Sequence, residues 1–298
     1  MQTQPIIVGV DGSSSAVHAA RWAAAEARRR QLPLRLVHAF DIPVGYAPGV
    51  VAPAAVRDGM RKQGRDWLHE AERAVLEIAP AIEPELTVHQ GPVVPFLVEA
   101  SRDATMVVLG TRGLGGFTGL LVGSISVTLA GHAHCPVVVV RGQDSSDRAD
   151  GDVVVGVDGT PAGEAAIAFA FEQASLQGRG VVAVHTWTDS VLEAALAGDT
   201  STVDFNPLQR QAYELLAERL AGWQEKYPDV RVHREVVRDR PATALLRYAA
   251  TAALVVVGTR GRGGFRGLVL GSTSQHLLHH APCPVAVVRT DPAKEDQR

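Results

Sequence analysis

The fold is decided by residues 106–124, which read MVVLGTRGLGGFTGLLVGS. A short apolar run ends in a glycine and opens a glycine-rich loop, which closes on Gly123-Ser124. The same arrangement returns at residues 254–272, as LVVVGTRGRGGFRGLVLGS. Runs that are apolar on successive residues are typical of strands covered on both faces of a sheet. The stretch therefore predicts a buried parallel strand that leads into a loop where backbone can come close to a ligand.

The repeat extends over the whole chain of 298 residues. Residues 107–141 align without gaps on 255–289, and 23 of these 35 positions are identical. Upstream, VGVDGS at residues 8–13 matches VGVDGT at residues 155–160. Because matching residues are separated by about half of the chain, the repeating unit is a complete domain and not a short solenoid unit.

We therefore predict two domains, residues 1–143 and residues 152–291. The polar segment from Gly142 to Gly151 has the composition of a linker between them.

Within each copy, short apolar runs alternate with longer segments of helical periodicity. The predicted strands are Ile6–Val10, Leu34–Ala39, Leu86–His89, Met106–Gly110 and Val137–Arg141, then Val153–Val157, Val181–His185, Val230–Val236, Leu254–Gly258 and Val285–Arg289. The predicted helices are Ala16–Arg30, Ala55–Ala79, Ala162–Gln177 and Leu208–Lys226. Right-handed crossovers between such strands place helices on both faces of a parallel sheet. We therefore expect an α/β fold of two tandem, doubly wound, five-stranded domains.

Composition and charge exclude several classes of partner. The net charge is −3, so the protein has no overall positive field to hold a nucleic acid. We expect no signal peptide and no membrane partner, because no apolar run approaches the roughly 18 residues of a spanning helix. With only two cysteines in the chain, we expect a reducing, cytoplasmic environment.

The glycine-rich loop has the spacing Gly-x2-Gly-x9-Gly-Ser in both copies. Its final Gly-Ser pair stands where the next helix begins, and the free N–H groups and dipole of a helix N-terminus favour an anion such as phosphate. No glycine is followed by lysine, which excludes a Walker A element. The phosphate charge would then be met by backbone N–H groups, by Arg112 and Arg260, and by a divalent ion such as Mg²⁺. A loop that is merely tight is the alternative interpretation.

In each copy one aspartate follows the first strand and stands directly before a glycine. Asp11 and Asp158 are either turn-forming residues or ligand contacts, and a place opposite the glycine loop, which the resemblance described below implies, favours the ligand role. Histidines near Cys135 and Cys283 do not keep their spacing between the copies, which argues against a metal site. We expect both cysteines to be small buried side chains.

At these residues the chain resembles the universal stress protein family, in its tandem form and in the branch that binds ATP. The resemblance implies the strand order 3-2-1-4-5 and a crevice between strands one and four. It implies that Asp11 and Asp158 lie beside the ribose or help to hold a metal, and that Ala39 and Thr186 offer backbone groups to adenine. The phosphate sites it implies consist of Gly110, Gly113, Gly123, Ser124 and Ser126, and of Gly258, Gly261, Gly271, Ser272 and Ser274.

The function we expect is that of a nucleotide-dependent regulator in stress response or growth arrest, with two ATP molecules per chain. The missing P-loop lysine, and the lack of a repeated base–nucleophile pair beside the loop, argue against fast turnover. Two alternatives stay open, a slow ATPase or phosphotransferase, and an interaction protein that binds AMP or a cyclic nucleotide.

The fifth strand is apolar in both copies, at Val137–Val140 and Val285–Val288. In the expected strand order it forms an edge of the sheet, and bare apolar edges favour pairing. We therefore expect the two halves, or two chains, to pack through these strands, with a homodimer as the result.

Overall fold

A computed structural model describes residues 3–41, 54–111, 122–141, 151–187, 205–261 and 269–290. Contacts divide the chain into two compact units, Met1–Gln143 and Asp144–Arg298, and each is described by itself. Within the described ranges, no helix combines the length and the apolarity that crossing a bilayer would need.

The first domain is a parallel sheet in the order β3-β2-β1-β4-β5, with helices in the crossovers. Its elements are β1 Ile6–Gly9, α1 Ser14–Arg30, β2 Leu34–Phe40, α2 Ala54–Ile78, β3 Glu85–Gln90, α3 Val93–Ala100, β4 Met106–Gly110, α4 Ser124–His132 and β5 Val137–Val140. This is the strand order that the family resemblance implied, and the predicted fold class is confirmed.

The second domain repeats this order as β8-β7-β6-β9-β10, again parallel. Its elements are β6 Val153–Gly156, α5 Pro161–Gln177, β7 Val181–Thr186, α6 Phe205–Arg219, α7 Trp223–Lys226, β8 Val232–Val237, α8 Pro241–Ala249, β9 Leu254–Gly258, α9 Ser272–His280 and β10 Val285–Val288.

One predicted helix is wrong in its extent. The segment Leu208–Lys226 is not continuous, because α6 ends at Arg219 and α7 begins at Trp223. Gly222, between them, has φ 79°, a left-handed conformation that a continuing α-helix does not allow. The chain therefore turns there before it enters β8.

The core explains why α1 lies close to the sheet. Its buried face carries alanines, among them Ala19, Ala20 and Ala23, which are fully buried. The small side chains let the helix backbone approach strands that are themselves apolar on both faces. This close approach brings the N-terminus of α1 against the carboxyl end of β4, where the candidate site lies.

Candidate functional site

The candidate site of each domain lies where the strand order reverses. In the first domain β1 pairs with β2 on one side and with β4 on the other, so a crevice opens between the loops that leave β1 and β4. In the second domain β6 and β9 take the same places. The aspartate turn follows the first strand of each pair, and the glycine loop follows the second.

Both aspartates use one carboxylate oxygen to shape their own turn. Asp11 Oδ1 accepts hydrogen bonds from the Ser13 N–H at 3.0 Å and the Ser13 hydroxyl at 2.6 Å. Asp158 Oδ1 does the same with the Thr160 N–H at 2.9 Å and hydroxyl at 2.7 Å. The same two hydroxyls cap α1 and α5, where they accept the N–H of the third helical residue, Ala16 or Gly163. The turn-forming interpretation therefore holds for Oδ1. The second carboxylate oxygen, Oδ2, takes no part in these bonds.

In the second domain the aspartate and the glycine loop face each other. A methyl group added to Gly261 would lie 2.8 Å from Asp158 Oδ2, so the loop passes directly over the carboxylate. Arg260, the residue before Gly261, is exposed. The corresponding Arg112 and Gly113 of the first domain lie outside the described residues.

The glycines that end β4 and β9 are required by packing. A methyl group on Gly110 would lie 2.5 Å from the Ser15 hydroxyl oxygen, and one on Gly258 would lie 3.0 Å from Ala162. Both clashes are with the first turn of the helix that follows the aspartate turn. For these two positions, a structural need of the fold is enough to explain the glycine.

The neck of each glycine loop is closed by one backbone hydrogen bond. The Gly123 N–H donates to Thr111 O at 2.8 Å, and the Gly271 N–H donates to Thr259 O at 2.7 Å. Both threonines are buried. Sequence reasoning missed them, although the repeated Gly-Thr-Arg-Gly tetrapeptide could have indicated them.

The helices that follow the glycine loops begin without a side-chain cap. Gly123 and Gly271 are the N-cap residues of α4 and α9, and neither has a side chain that could accept the first N–H groups of its helix. Ser124 and Ser272, the first residues of these helices, are exposed. Each crevice is therefore bordered by a helix N-terminus whose donors remain available to an anion.

The second serine of each helix has a structural role. Ser126 donates its hydroxyl proton to Gly110 O at 3.2 Å, and Ser274 donates to Gly258 O at 2.7 Å. Both serines are buried. Their hydroxyl protons therefore tie the helix to the end of the strand.

A buried aromatic residue follows each of the two residues expected to contact adenine. Ala39 is half-buried in β2, before the buried Phe40. Thr186 ends β7 and precedes the buried Trp187. The guanidinium of Arg238 lies 5.5 Å above the Trp187 ring, a cation–π contact of the second domain.

The cysteines are buried in both domains, as predicted. Burial raises the pKa of the Cys135 thiol from 9.0 to about 12, so this thiol stays protonated at neutral pH. Within the described ranges no group of three or more His, Cys, Asp or Glu side chains is arranged to hold a metal ion.

Comparison with known proteins gives concordant matches. The universal stress protein family matches residues 2–141 and 151–289. Two universal stress proteins of Mycobacterium tuberculosis are 42% and 43% identical to the chain, over 95% of this chain and 96% of each relative. The crystal structure of a universal stress protein from Archaeoglobus fulgidus DSM 4304 is 18% identical, with a TM-score of 0.68 over 97% of this chain and 100% of that one. At that identity the structural likeness shows the fold alone.

Proposed function

Since the chain belongs to the universal stress protein family, we propose that each of its two domains binds an adenine nucleotide, ATP, and that occupancy regulates a stress response. The observation that carries the proposal is the glycine at the start of α4. Gly123 has φ −68° and ψ 145°, values that any residue adopts. Among the described residues a methyl group there would meet only Thr111 O, at an ordinary 3.8 Å. Among the described residues no packing contact requires glycine at this position, whereas a phosphate lying on the helix N-terminus would.

The corresponding glycine of the second domain, Gly271, gives weaker support to the proposal. Gly271 also has an ordinary backbone conformation, with φ −71°. A methyl group there would lie 3.3 Å from Thr259 O, so a small shift of the loop neck would be needed. Gly123 is therefore the better position at which to separate binding from folding.

The charges of the second crevice fit a nucleotide better than a free phosphate. A helix N-terminus attracts a phosphate, while the carboxylate of Asp158 beside Gly261 repels it. Ribose hydroxyls can donate to that carboxylate, and a divalent ion such as Mg²⁺ can bridge it to the phosphates. A ligand that carries both a sugar and phosphates can bind the helix N-terminus with its phosphates and the carboxylate with its sugar.

A slow phosphotransferase is the second candidate function, and one hydrogen bond favours it. The Ser13 hydroxyl donates to Asp11 Oδ1 at 2.6 Å, which is the geometry of a nucleophile with its base. Transfer would move the γ-phosphoryl group of ATP to Ser13 Oγ, pass the hydroxyl proton to Asp11 and release ADP. Ser13 is buried and caps α1, so we rank regulation by binding above this reaction.

Native mass spectrometry of the freshly purified protein tests the main proposal. We expect up to two adducts with the mass of ATP per chain, and chromatography of the released ligand should identify an adenine nucleotide. A protein that carries none, and takes up neither ATP, AMP nor cyclic AMP with Mg²⁺ present, would contradict it. Incubation with γ-labelled ATP tests the second candidate. Label that Ser13→Ala removes and Ser14→Ala retains would support phosphoryl transfer.

A further inference from the structure

In each domain a buried histidine forms a hydrogen bond with the residue that precedes the aspartate turn. The site described above gives this bond no part in ligand binding. His38 in β2 and His185 in β7 are both buried. Nδ1 of His38 lies 2.8 Å from Val10 O, and Nδ1 of His185 lies 2.6 Å from Val157 O. A carbonyl oxygen can only accept, so Nδ1 must carry the proton in both rings.

The two carbonyls lie at the point where the chain leaves the sheet. The Val10 N–H still donates to Val37 O at 2.8 Å, although β1 ends at Gly9. The next residue is Asp11, whose carboxylate begins the turn. The histidine thus supplies the donor that fixes the last peptide group before the aspartate. In the second domain Val157 and Asp158 repeat this arrangement.

In the first domain the His38 ring is also held from α2. A methyl group on Gly64 would overlap the imidazole edge, so the helix lies directly against the ring. Trp67, one turn further along α2, contacts the same imidazole edge-on, with ring centroids 5.1 Å apart. Its indole also covers Gly12, the residue after Asp11, where a methyl group would overlap it. The aspartate turn is therefore fixed from both sides, by His38 before it and by Trp67 after it.

We propose that His38 and His185 are positioning residues of the two nucleotide sites. Each holds the carbonyl of Val10 or Val157 so that the adjacent aspartate presents its second carboxylate oxygen to the ligand. A histidine that only satisfied the core would stabilise the fold without affecting the crevice. Because this inference rests on the proposed function, its test must separate loss of positioning from loss of binding as such.

The test uses the first site alone, in a Gly271→Ala background. His38→Asn keeps an N–H donor where Nδ1 stands, and His38→Gln is the matched control whose amide stands where Nε2 does. By titration calorimetry we expect His38→Asn to bind ATP within about threefold of the parent. His38→Gln should lose about tenfold in affinity, the size expected for one lost hydrogen bond. Equal affinities in the two variants, high or low, would overturn the proposal.

A double-mutant cycle supplies a readout that a purely structural histidine would not move. If His38 acts through Asp11, then His38→Gln should cost little further affinity once Asp11→Ala has removed the carboxylate. Additive losses in a protein with an unchanged melting temperature would overturn the positioning role but leave the nucleotide site standing. Absence of ATP binding by the unaltered protein would overturn both this inference and the proposed function.

Discussion

The two domains share the residues that border the crevice and differ in the groups packed behind it. On α1, the fully buried Glu26 forms an ion pair with Arg30, whose side chain is itself nearly buried. On α5, the aligned residues are Gln173, also fully buried, and Gln177, which donates to it at 2.7 Å. The same internal position is thus occupied by a charged pair in one domain and by a neutral amide pair in the other.

The residues that border the crevice, in contrast, are the same in the two domains. An aspartate turn, a histidine behind it, a loop neck closed on threonine and an uncapped Gly-Ser helix start occur in both domains. Behind the turn, Trp67 aligns with Leu215 and Gly64 with Ala212. Packing thus has several solutions that differ between the domains, while the crevice keeps one. This contrast is expected if the crevice, and not the core, carries the function.

Each domain contains one cysteine, so thiol labelling can report on the two domains separately. With its pKa raised to about 12, Cys135 should have about 1000-fold less thiolate than an ordinary cysteine of pKa 9.0 at any pH below 9. We expect a thiol reagent at pH 8 to label Cys135 and the buried Cys283 only when their domain opens. Rapid labelling of Cys135 in the native protein would contradict its burial.

The buried pairs should separate the domains most strongly in stability. Glu26→Ala leaves Arg30 without its buried partner carboxylate and should lower the free energy of unfolding by about 3–5 kcal/mol. Gln173→Ala removes a neutral hydrogen bond and should cost about 1–3 kcal/mol. Denaturant unfolding followed by labelling of each cysteine measures the two effects.

The exposed ion pair between Arg35 and Glu85, at 2.8 Å, provides the control. Glu85→Ala should cost no more than about 1 kcal/mol, because exposed pairs are weak. If Glu26→Ala and Glu85→Ala had the same small effect, the buried pair would not stabilise the first domain.

The glycines after the two aspartates should not tolerate alanine, and at Gly12 the cost should have two sources. Gly12 and Gly159 have φ 81° and 74°, which cost an alanine about 1–2 kcal/mol. At Gly12 the added methyl also overlaps Trp67, and overpacking of this kind costs about 1–3 kcal/mol more. Gly12→Ala should therefore cost more than the left-handed conformation alone, and this excess should disappear in a Trp67→Leu background. An excess that persists there would mean that the indole does not press on the turn.

The smallest expected difference concerns the ligand preference of the two sites. The glycine loops differ at Leu114 against Arg262 and at Thr118 against Arg266, all outside the described residues. Two further positive charges near the phosphates should raise the ATP/AMP affinity ratio of the second site by a few-fold, and more at low salt. The ratio can be measured at each site with the other inactivated by its glycine substitution. Equal ratios and equal salt dependence would make the two sites electrostatically equivalent.

Much of the fold could be predicted from apolar periodicity. The ends of Met106–Gly110 and Leu254–Gly258 coincide with the predicted strands, because a glycine stops each buried run. The helix α3, Val93–Ala100, was not predicted, since the apolar segment VVPFLVEA contains proline and β-branched residues. Tertiary packing decides such a short segment, and its own sequence does not.

The site was only partly accessible to sequence reasoning. The family resemblance carried by the glycine spacing and the repeated aspartate implied the position of the crevice, but nothing in the sequence shows which way a side chain turns on its helix. Ser126 was expected among the phosphate contacts, whereas its hydroxyl bonds to Gly110 O. The role of His38 depends on where the pleat of β2 places its ring relative to Val10 O, and only coordinates reveal this.

Calorimetric counting of nucleotide sites tests the central claim most directly. With Mg²⁺ present, the unaltered protein should bind two ATP per chain, Gly123→Ala or Gly271→Ala one, and the double variant none, all with unchanged secondary structure. Gly59→Ala is the matched control, since a methyl group there on the exposed surface of α2 meets none of the described residues within 4 Å, and it should keep both sites. A count of one or none in the unaltered protein, or of two in a correctly folded double variant, would contradict the account.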